Sequence, residues 1–265
     1  MSDAAPWVLL RGLTRDSHHW GRFPELFAAR LPGARVIALD LPGNGPLNRQ
    51  RSPLRVEDMA EYCRAELSRR GLAPPYKVLA MSLGAMVTVA WASRHADELQ
   101  AAVLINTSLR PFSPFHHRMR PANYGTVLRM MLGHPGARTS EAAVLRLTSR
   151  MSGPGHEVLD DWSAWRERHP VSAANALRQI LAAARYRAPR AAPAVPLLIL
   201  NSARDGLVDP RCSQRLAQAW QCPVEVHPGA GHDLPLDDGE WVARQVREWL
   251  YTERLSSQDS IFRSR

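Results

Sequence analysis

The chain has three cysteines, one lysine and no long apolar run in 265 residues. Cys63, Cys212 and Cys222 show no metal-like spacing, and any disulfide scheme leaves one of them unpaired, which fits free thiols in a reducing compartment. Cys63 falls on the apolar face of an expected helix and reads as packing. No segment reaches the roughly eighteen consecutive apolar residues of a membrane-spanning helix. The opening MSDAAPWVLL lacks the basic and apolar regions of a secretory signal. These absences predict a soluble cytoplasmic protein with no membrane span. Histidine is not spaced for metal either: the doublets His18-His19 and His116-His117 do not repeat at helical ligand spacing and read as surface or pocket-lining residues. The glycines of Asp40-Leu41-Pro42-Gly43-Asn44-Gly45 are too few and wrongly placed for a phosphate loop. Neither a metal nor a cofactor is expected.

Lysine's scarcity also qualifies the charge. The formal net charge is +9 and the only lysine is Lys77. The arginines are spread along a chain rich in alanine and proline, a pattern of mutational bias in the coding DNA. No recognition helix, zinc finger or RNA-binding sheet accompanies them, which argues against nucleic acid. A positive field would still speed encounter with an acidic substrate or partner.

What is present is 45% hydrophobic residues, enough for a sizeable core. Short aliphatic runs alternate with amphipathic stretches, the pattern of a mainly parallel sheet with helices on both faces. Expected strands are Trp7–Leu10, Arg35–Leu39, Lys77–Met81, Ala101–Ile105, Leu197–Leu200 and Val224–His227. They are nearly continuously apolar, as strands buried on both faces should be. A helix is expected from Val56 to Arg70, with Gly71 ending it. Another is expected over Asp238–Leu250, burying Trp241, Val242, Val246 and Trp249. From about Arg110 to Pro193 the strand rhythm stops. That stretch is helix-like, broken at Pro135-Gly136 and Pro154-Gly155, and returns through the hinge PRAAPAVP (Pro189–Pro196). A strandless connection of this length in an α/β domain suggests a cap or lid. The expected organisation is therefore a core over 1–109 and 194–252, a helical cap over 110–193 and a frayed polar tail over 253–265.

The chemistry-bearing residues lie at expected strand ends. Ala80-Met81-Ser82-Leu83-Gly84-Ala85 joins a strand to a helix. A serine at such a corner projects its hydroxyl above the sheet edge in a strained conformation that only small neighbours allow. The pattern is G-x-S-x-G with Ala80 in place of the first glycine. The helix that follows would point its first amides at an oxyanion. A serine hydroxyl needs a base, and His232 stands in the glycine loop of His227-Pro228-Gly229-Ala230-Gly231-His232-Asp233. His227, at the strand end, is the competing and more structural histidine. The base needs a carboxylate. Asp205, in Arg204-Asp205-Gly206-Leu207-Val208-Asp209-Pro210, lies just past a core strand. Asp209 is the alternative, better placed to cap the next helix. Past the preceding strand, Asn106-Thr107-Ser108 offers no carboxylate.

The order Ser82, Asp205, His232 and the three strand-end motifs resemble the α/β-hydrolase superfamily. The resemblance spans residues 7–109 and 195–250. Within the superfamily, the Ser-Leu-Gly elbow, the Asp205-Gly206-Leu207-Val208 run and the helical insertion are similar to small carboxylesterases such as the pimeloyl-carrier-protein methyl esterases of biotin synthesis. That resemblance implies an oxyanion hole from the backbone amides of Leu13 and Leu83, where Arg11-Gly12-Leu13 replaces the usual His-Gly-x. It implies hydrolysis of a carboxylic ester, with a cap that shapes the acyl pocket. It also implies an acidic carrier protein as partner for Arg118, Arg120, Arg129, Arg138, Arg146 and Arg150. Thioester, lactone and carbon–carbon bond hydrolysis use the same triad, and a non-catalytic binding protein could keep the same fold.

Overall fold

The computed structural model describes residues 5–133, 135–150 and 156–263. In chain order the core elements are β1 (Trp7–Leu10), α1 (Phe23–Arg30), β2 (Val36–Leu39), α2 (Val56–Arg69), β3 (Tyr76–Met81), α3 (Leu83–Arg94) and β4 (Leu99–Ile105). Five helices follow: α4 (Phe115–Arg118), α5 (Tyr124–Leu132), α6 (Ala137–Thr148), α7 (His156–Arg168) and α8 (Ala173–Arg185). The chain then returns as β5 (Leu197–Ser202), α9 (Arg211–Trp220), β6 (Val224–His227) and α10 (Leu234–Arg263). Every strand expected from the aliphatic runs is present, with ends shifted by at most two residues.

All strand pairs are parallel, in the order β2-β1-β3-β4-β5-β6. Because side chains alternate across a strand, each run of apolar residues serves two layers. Trp7, Leu9, Leu79, Met81, Val103 and Leu198 face α1 and α10, meeting Phe27, Val242 and Val246. Val8, Leu10, Val78, Ala80, Leu104 and Ile199 face the other layer, with Met59, Cys63, Trp91 and Leu216. Each such fully buried side chain contributes about 1.5–3 kcal/mol. Cys63 is part of this packing, and burial pushes its thiol up to about 12.

The strand order turns at β1, since the chain runs outward to β2 and then jumps back to β3. In an open parallel sheet this leaves a crevice beyond the C-terminal ends of the two diverging strands. The loops after β1 and β3 carry Gly12-Leu13 and Ser82 to that crevice.

Helices α4–α8 occupy the stretch where no strands were expected. The segment begins and ends at one place: the Ala188 N–H donates to the Arg110 carbonyl at 2.8 Å, and Arg110 bridges to Arg187. The Pro135-Gly136 break precedes α6, whose N-cap is Gly136. The Pro154-Gly155 break lies outside the described residues.

At the C-terminus the structure departs from the sequence expectation. A frayed tail was expected from residue 253, but the backbone continues α10 through Arg263. No glycine or proline follows Gly239, so nothing stops the helix once begun. Asp238, where the sequence suggests the helix starts, has φ −152° and ψ 76° within α10. Its carboxylate accepts the Trp241 N–H at 2.9 Å and so caps the second part.

Candidate active site

Ser82 sits between β3 and α3 at φ 53°, ψ −112°, a left-handed conformation rare for a residue with a side chain. Its backbone is held from both sides. The Ser82 N–H donates to the Ile105 carbonyl at 2.9 Å, and Thr107 Oγ1 donates to the Ser82 carbonyl at 3.2 Å. Two glycines allow the neighbouring loops to close in. A Cβ on Gly84 would lie 2.5 Å from the Leu10 carbonyl oxygen and 2.7 Å from that of Arg11. A Cβ on Gly12 would lie 3.2 Å from Ser82 Cβ. The turn after β1 therefore lies against the serine side chain. Leu13 belongs to that turn, and Leu83 begins α3, where helix geometry leaves the first amides without intrahelical acceptors.

His232 and Asp205 meet across the ends of β6 and β5. His232 Nδ1 is 2.7 Å from Asp205 Oδ2, with side chains 3% and 1% exposed. Asp205 Oδ1 accepts the Leu207 and Val208 amides at 2.8 and 2.9 Å, so the carboxylate is held on both oxygens. With the Nδ1 proton directed at Asp205, Nε2 is the nitrogen left to act as a base. The competing residues are engaged elsewhere. His227 Nδ1 accepts the Gly229 and Ala230 amides, and its Nε2 is 3.2 Å from Asp238. Asp209 accepts the Arg211 N–H at the start of α9 and pairs with its guanidinium.

Arg11, where the resembling family usually has histidine, is buried and makes two hydrogen bonds to Asp233, at 2.9 and 2.6 Å. Its guanidinium also lies 4.8 Å from the Trp20 ring. Burial alone would push the Asp233 carboxyl up, but Arg11 outweighs it and holds the group below the usual carboxylate range. This pair ties the turn after β1 to the loop of His232. A second buried group lies beside it. Arg15 pairs with Glu141 of α6 at 2.7 Å and stacks on Trp162 of α7, while Arg166 of α7 also reaches Glu141. His19 is buried too, contrary to the expectation of a surface or pocket-lining residue. Its Nδ1 is 3.0 Å from Asp16 Oδ1 and it meets Trp162 edge-on. His18 stacks on Trp165 at 4.1 Å. The aromatic surface of α7, hidden in sequence, accounts for both positions. In the other doublet, His116 is exposed, while half-buried His117 lies 3.3 Å from Arg211 and Arg215.

Ser82 and His232 line one cavity of about 420 Å³. Its walls are mostly apolar: Leu13 and Leu207 from the core, Val127, Met130 and Met131 from α5, Val144 and Leu147 from α6, Ile180 from α8. Arg11, Arg15, Arg166 and Glu167 supply its charged edge. Among the described residues no three His, Cys, Asp or Glu side chains come together as a metal site.

Two polar residues were not singled out for the site by sequence. Asn106, set aside for lacking a carboxylate, has φ 46°. Its amide donates to the His232 carbonyl at 2.8 Å and to Ser202 Oγ at 2.9 Å, and its oxygen accepts the Ser202 N–H. Gln179 of α8 accepts the Thr14 N–H at 2.8 Å and donates to Asn44 and Ser52. It fixes the turn that holds Leu13. Asn106's place at a strand end was the one available signal; Gln179 gave none.

Residues 7–245 match the alpha/beta hydrolase family. Pimeloyl-[acyl-carrier protein] methyl ester esterase of Chromobacterium violaceum is 27% identical over 260 residues, covering 97% of this chain and 88% of that protein. The structure of a thermophilic esterase from Thermogutta terrifontis is similar at TM-score 0.74 and 23% identity, over 94% of this chain and 90% of that one. The enol-lactonase of Burkholderia xenovorans is similar at TM-score 0.72 and 19% identity, over 93% and 92%. Those two structures share the fold.

Proposed function

The chain belongs to the alpha/beta hydrolase family, and we propose that it hydrolyses a carboxylic ester through an acyl-enzyme on Ser82. The observation that best supports this reading is the buried Asp205–His232 pair at 2.7 Å, whose histidine lines the same cavity as the strained Ser82.

Ser82 Oγ attacks the ester carbonyl while His232 Nε2 takes its proton. Asp205 keeps the imidazole in the tautomer that presents Nε2 and stabilises the imidazolium. The oxyanion receives the Leu13 and Leu83 amides, both preorganised before the substrate arrives. His232 then returns its proton to the leaving alcohol. Water, activated by the same nitrogen, releases the acid and regenerates Ser82. Helices α4–α8 act as a cap, and the Met- and Leu-lined cavity takes the acyl chain.

Hydrolysis of p-nitrophenyl esters from acetate to decanoate tests the proposal, with Ser82→Ala and His232→Ala beside wild type. Wild type should turn over, and each variant should lose on the order of 10⁴-fold in kcat. A fluorophosphonate should label wild type and not Ser82→Ala. Labelling that persists in Ser82→Ala would place the nucleophile elsewhere. A folded wild type inert to every ester and to the label would instead support the non-catalytic reading.

A further inference from the structure

Helix α5 carries one broad apolar face, of which only part turns inward. Val127, Met130 and Met131 line the cavity. Tyr124, Leu128 and Leu132, at i, i+4 and i+8, are 40%, 56% and 69% exposed. The apolar stripe is wider than the part that lines the cavity, and large apolar side chains exposed along one helix edge mark a surface that meets something.

The stretch of sequence that carries this face has charge of one sign. From Leu99 to Ser140 the sequence contains no aspartate or glutamate, but five arginines: Arg110, Arg118, Arg120, Arg129 and Arg138. Two of them are occupied within the fold. Arg138 pairs with Asp160 of α7, and Arg118 donates to the Ala183 carbonyl of α8. Arg129 is exposed next to Leu128, and with Arg146 of α6 it lines a shallow depression.

We propose that the exposed edge of α5, Tyr124, Leu128 and Leu132, docks on an anionic lipid surface. Bulky apolar side chains enter the boundary between headgroups and acyl chains, while guanidinium groups stay level with the phosphates. Each arginine near such a surface strengthens binding about fivefold, and no carboxylate in this stretch of sequence opposes it. Binding would not depend on the reaction assigned to Ser82. It would, however, bring the wall of the cavity to the lipid, since the exposed and the cavity-lining side chains are neighbours on one helix.

The test is co-sedimentation of the full-length Ser82→Ala protein with phosphatidylcholine vesicles, with and without about 30 mol % phosphatidylglycerol. The anionic vesicles should retain the protein about tenfold more strongly than the neutral ones, less so at high salt. Leu128→Glu and Arg129→Glu should each weaken retention about tenfold. Their Tm, and their hydrolysis of a soluble ester in the Ser82 background, should match wild type because neither side chain lines the cavity. Leu128→Gln replaces Leu128→Glu if the charged variant fails to fold. The proposal is overturned if anionic vesicles do not retain the protein, or if neither variant changes retention. It is equally overturned if an acidic carrier protein binds through Arg129 while vesicles do not. A dimer that Leu128→Glu dissociates, again without vesicle binding, would assign the face to a second copy.

Discussion

Arg11 stands where a histidine is common in the loop after the first strand, and it would leave a buried cation beside the serine but for Asp233. The two side chains are 2% and 4% exposed and share two hydrogen bonds. Desolvating two charges is expensive, so such a pair adds little net stability compared with an apolar pair of the same shape. Removing one member is different, because it leaves the other charge buried alone. Arg11→Met or Asp233→Leu should each lower stability by about 3–5 kcal/mol. The double variant should fall well short of the sum. Denaturant titration of the four proteins measures the coupling, and strictly additive single effects would show that the pair does not act as a unit. Asp233 also follows His232 directly in the chain. Either single variant should therefore lower ester hydrolysis more than the loss of folded protein explains.

At the scale of elements, the site depends on how closely the turn after β1 approaches α3. Gly84 carries that contact, since a Cβ there would fall 2.5 Å from the Leu10 oxygen, which is backbone and cannot step aside. Gly84→Ala should cost about 1–3 kcal/mol through overpacking. It should also depress kcat by displacing the turn of Leu13, and a variant with unchanged Tm and kcat would contradict this packing. The need for a small residue here was legible in the sequence, as were the six strands. Both follow from local rules: short aliphatic runs, and a serine between a strand and a helix. That Ser82, Asp205 and His232 lie past strand ends was legible because each follows such a run. What supports them was not. Arg11 meets Asp233 across 222 residues, Gln179 meets Thr14 across 165, and Asn106 meets His232 across 126. No periodicity reports a partner at that separation. Asn106 was passed over because only a carboxylate was sought after β4, while its amide serves the backbone. The end of α10 was missed because loss of apolar periodicity removes the sign of a buried face without removing the helix.

For the molecule as a whole, a buried polar cluster joins the core to the helices between β4 and β5, and it includes a histidine drawn well below its ordinary range. Arg15, Asp16 and His19 come from the segment after β1; Glu141 comes from α6, and Trp162 and Trp165 from α7. Burial, reinforced by the nearby Arg15 charge, draws His19 down from 6.5 to about 4, although Asp16 works in the opposite direction. The unfolded chain therefore takes up a proton at pH values where the folded protein does not, and stability falls as pH falls. The contribution is fully present above 6.5 and is lost progressively down to about 4. At pH 5 the loss from this one histidine is about 2 kcal/mol. In His19→Asn, which keeps a polar group beside Asp16 but does not titrate, the decline in stability between pH 7 and pH 5 should be shallower by about that amount, whatever the variant's stability at pH 7. Denaturant unfolding of both proteins at half-unit pH steps gives the two slopes, and parallel slopes would remove His19 as the cause. Because the cluster spans both parts of the molecule, ester hydrolysis should decline with folded protein over the same window. A decline well above pH 6.5 would have to come from another group.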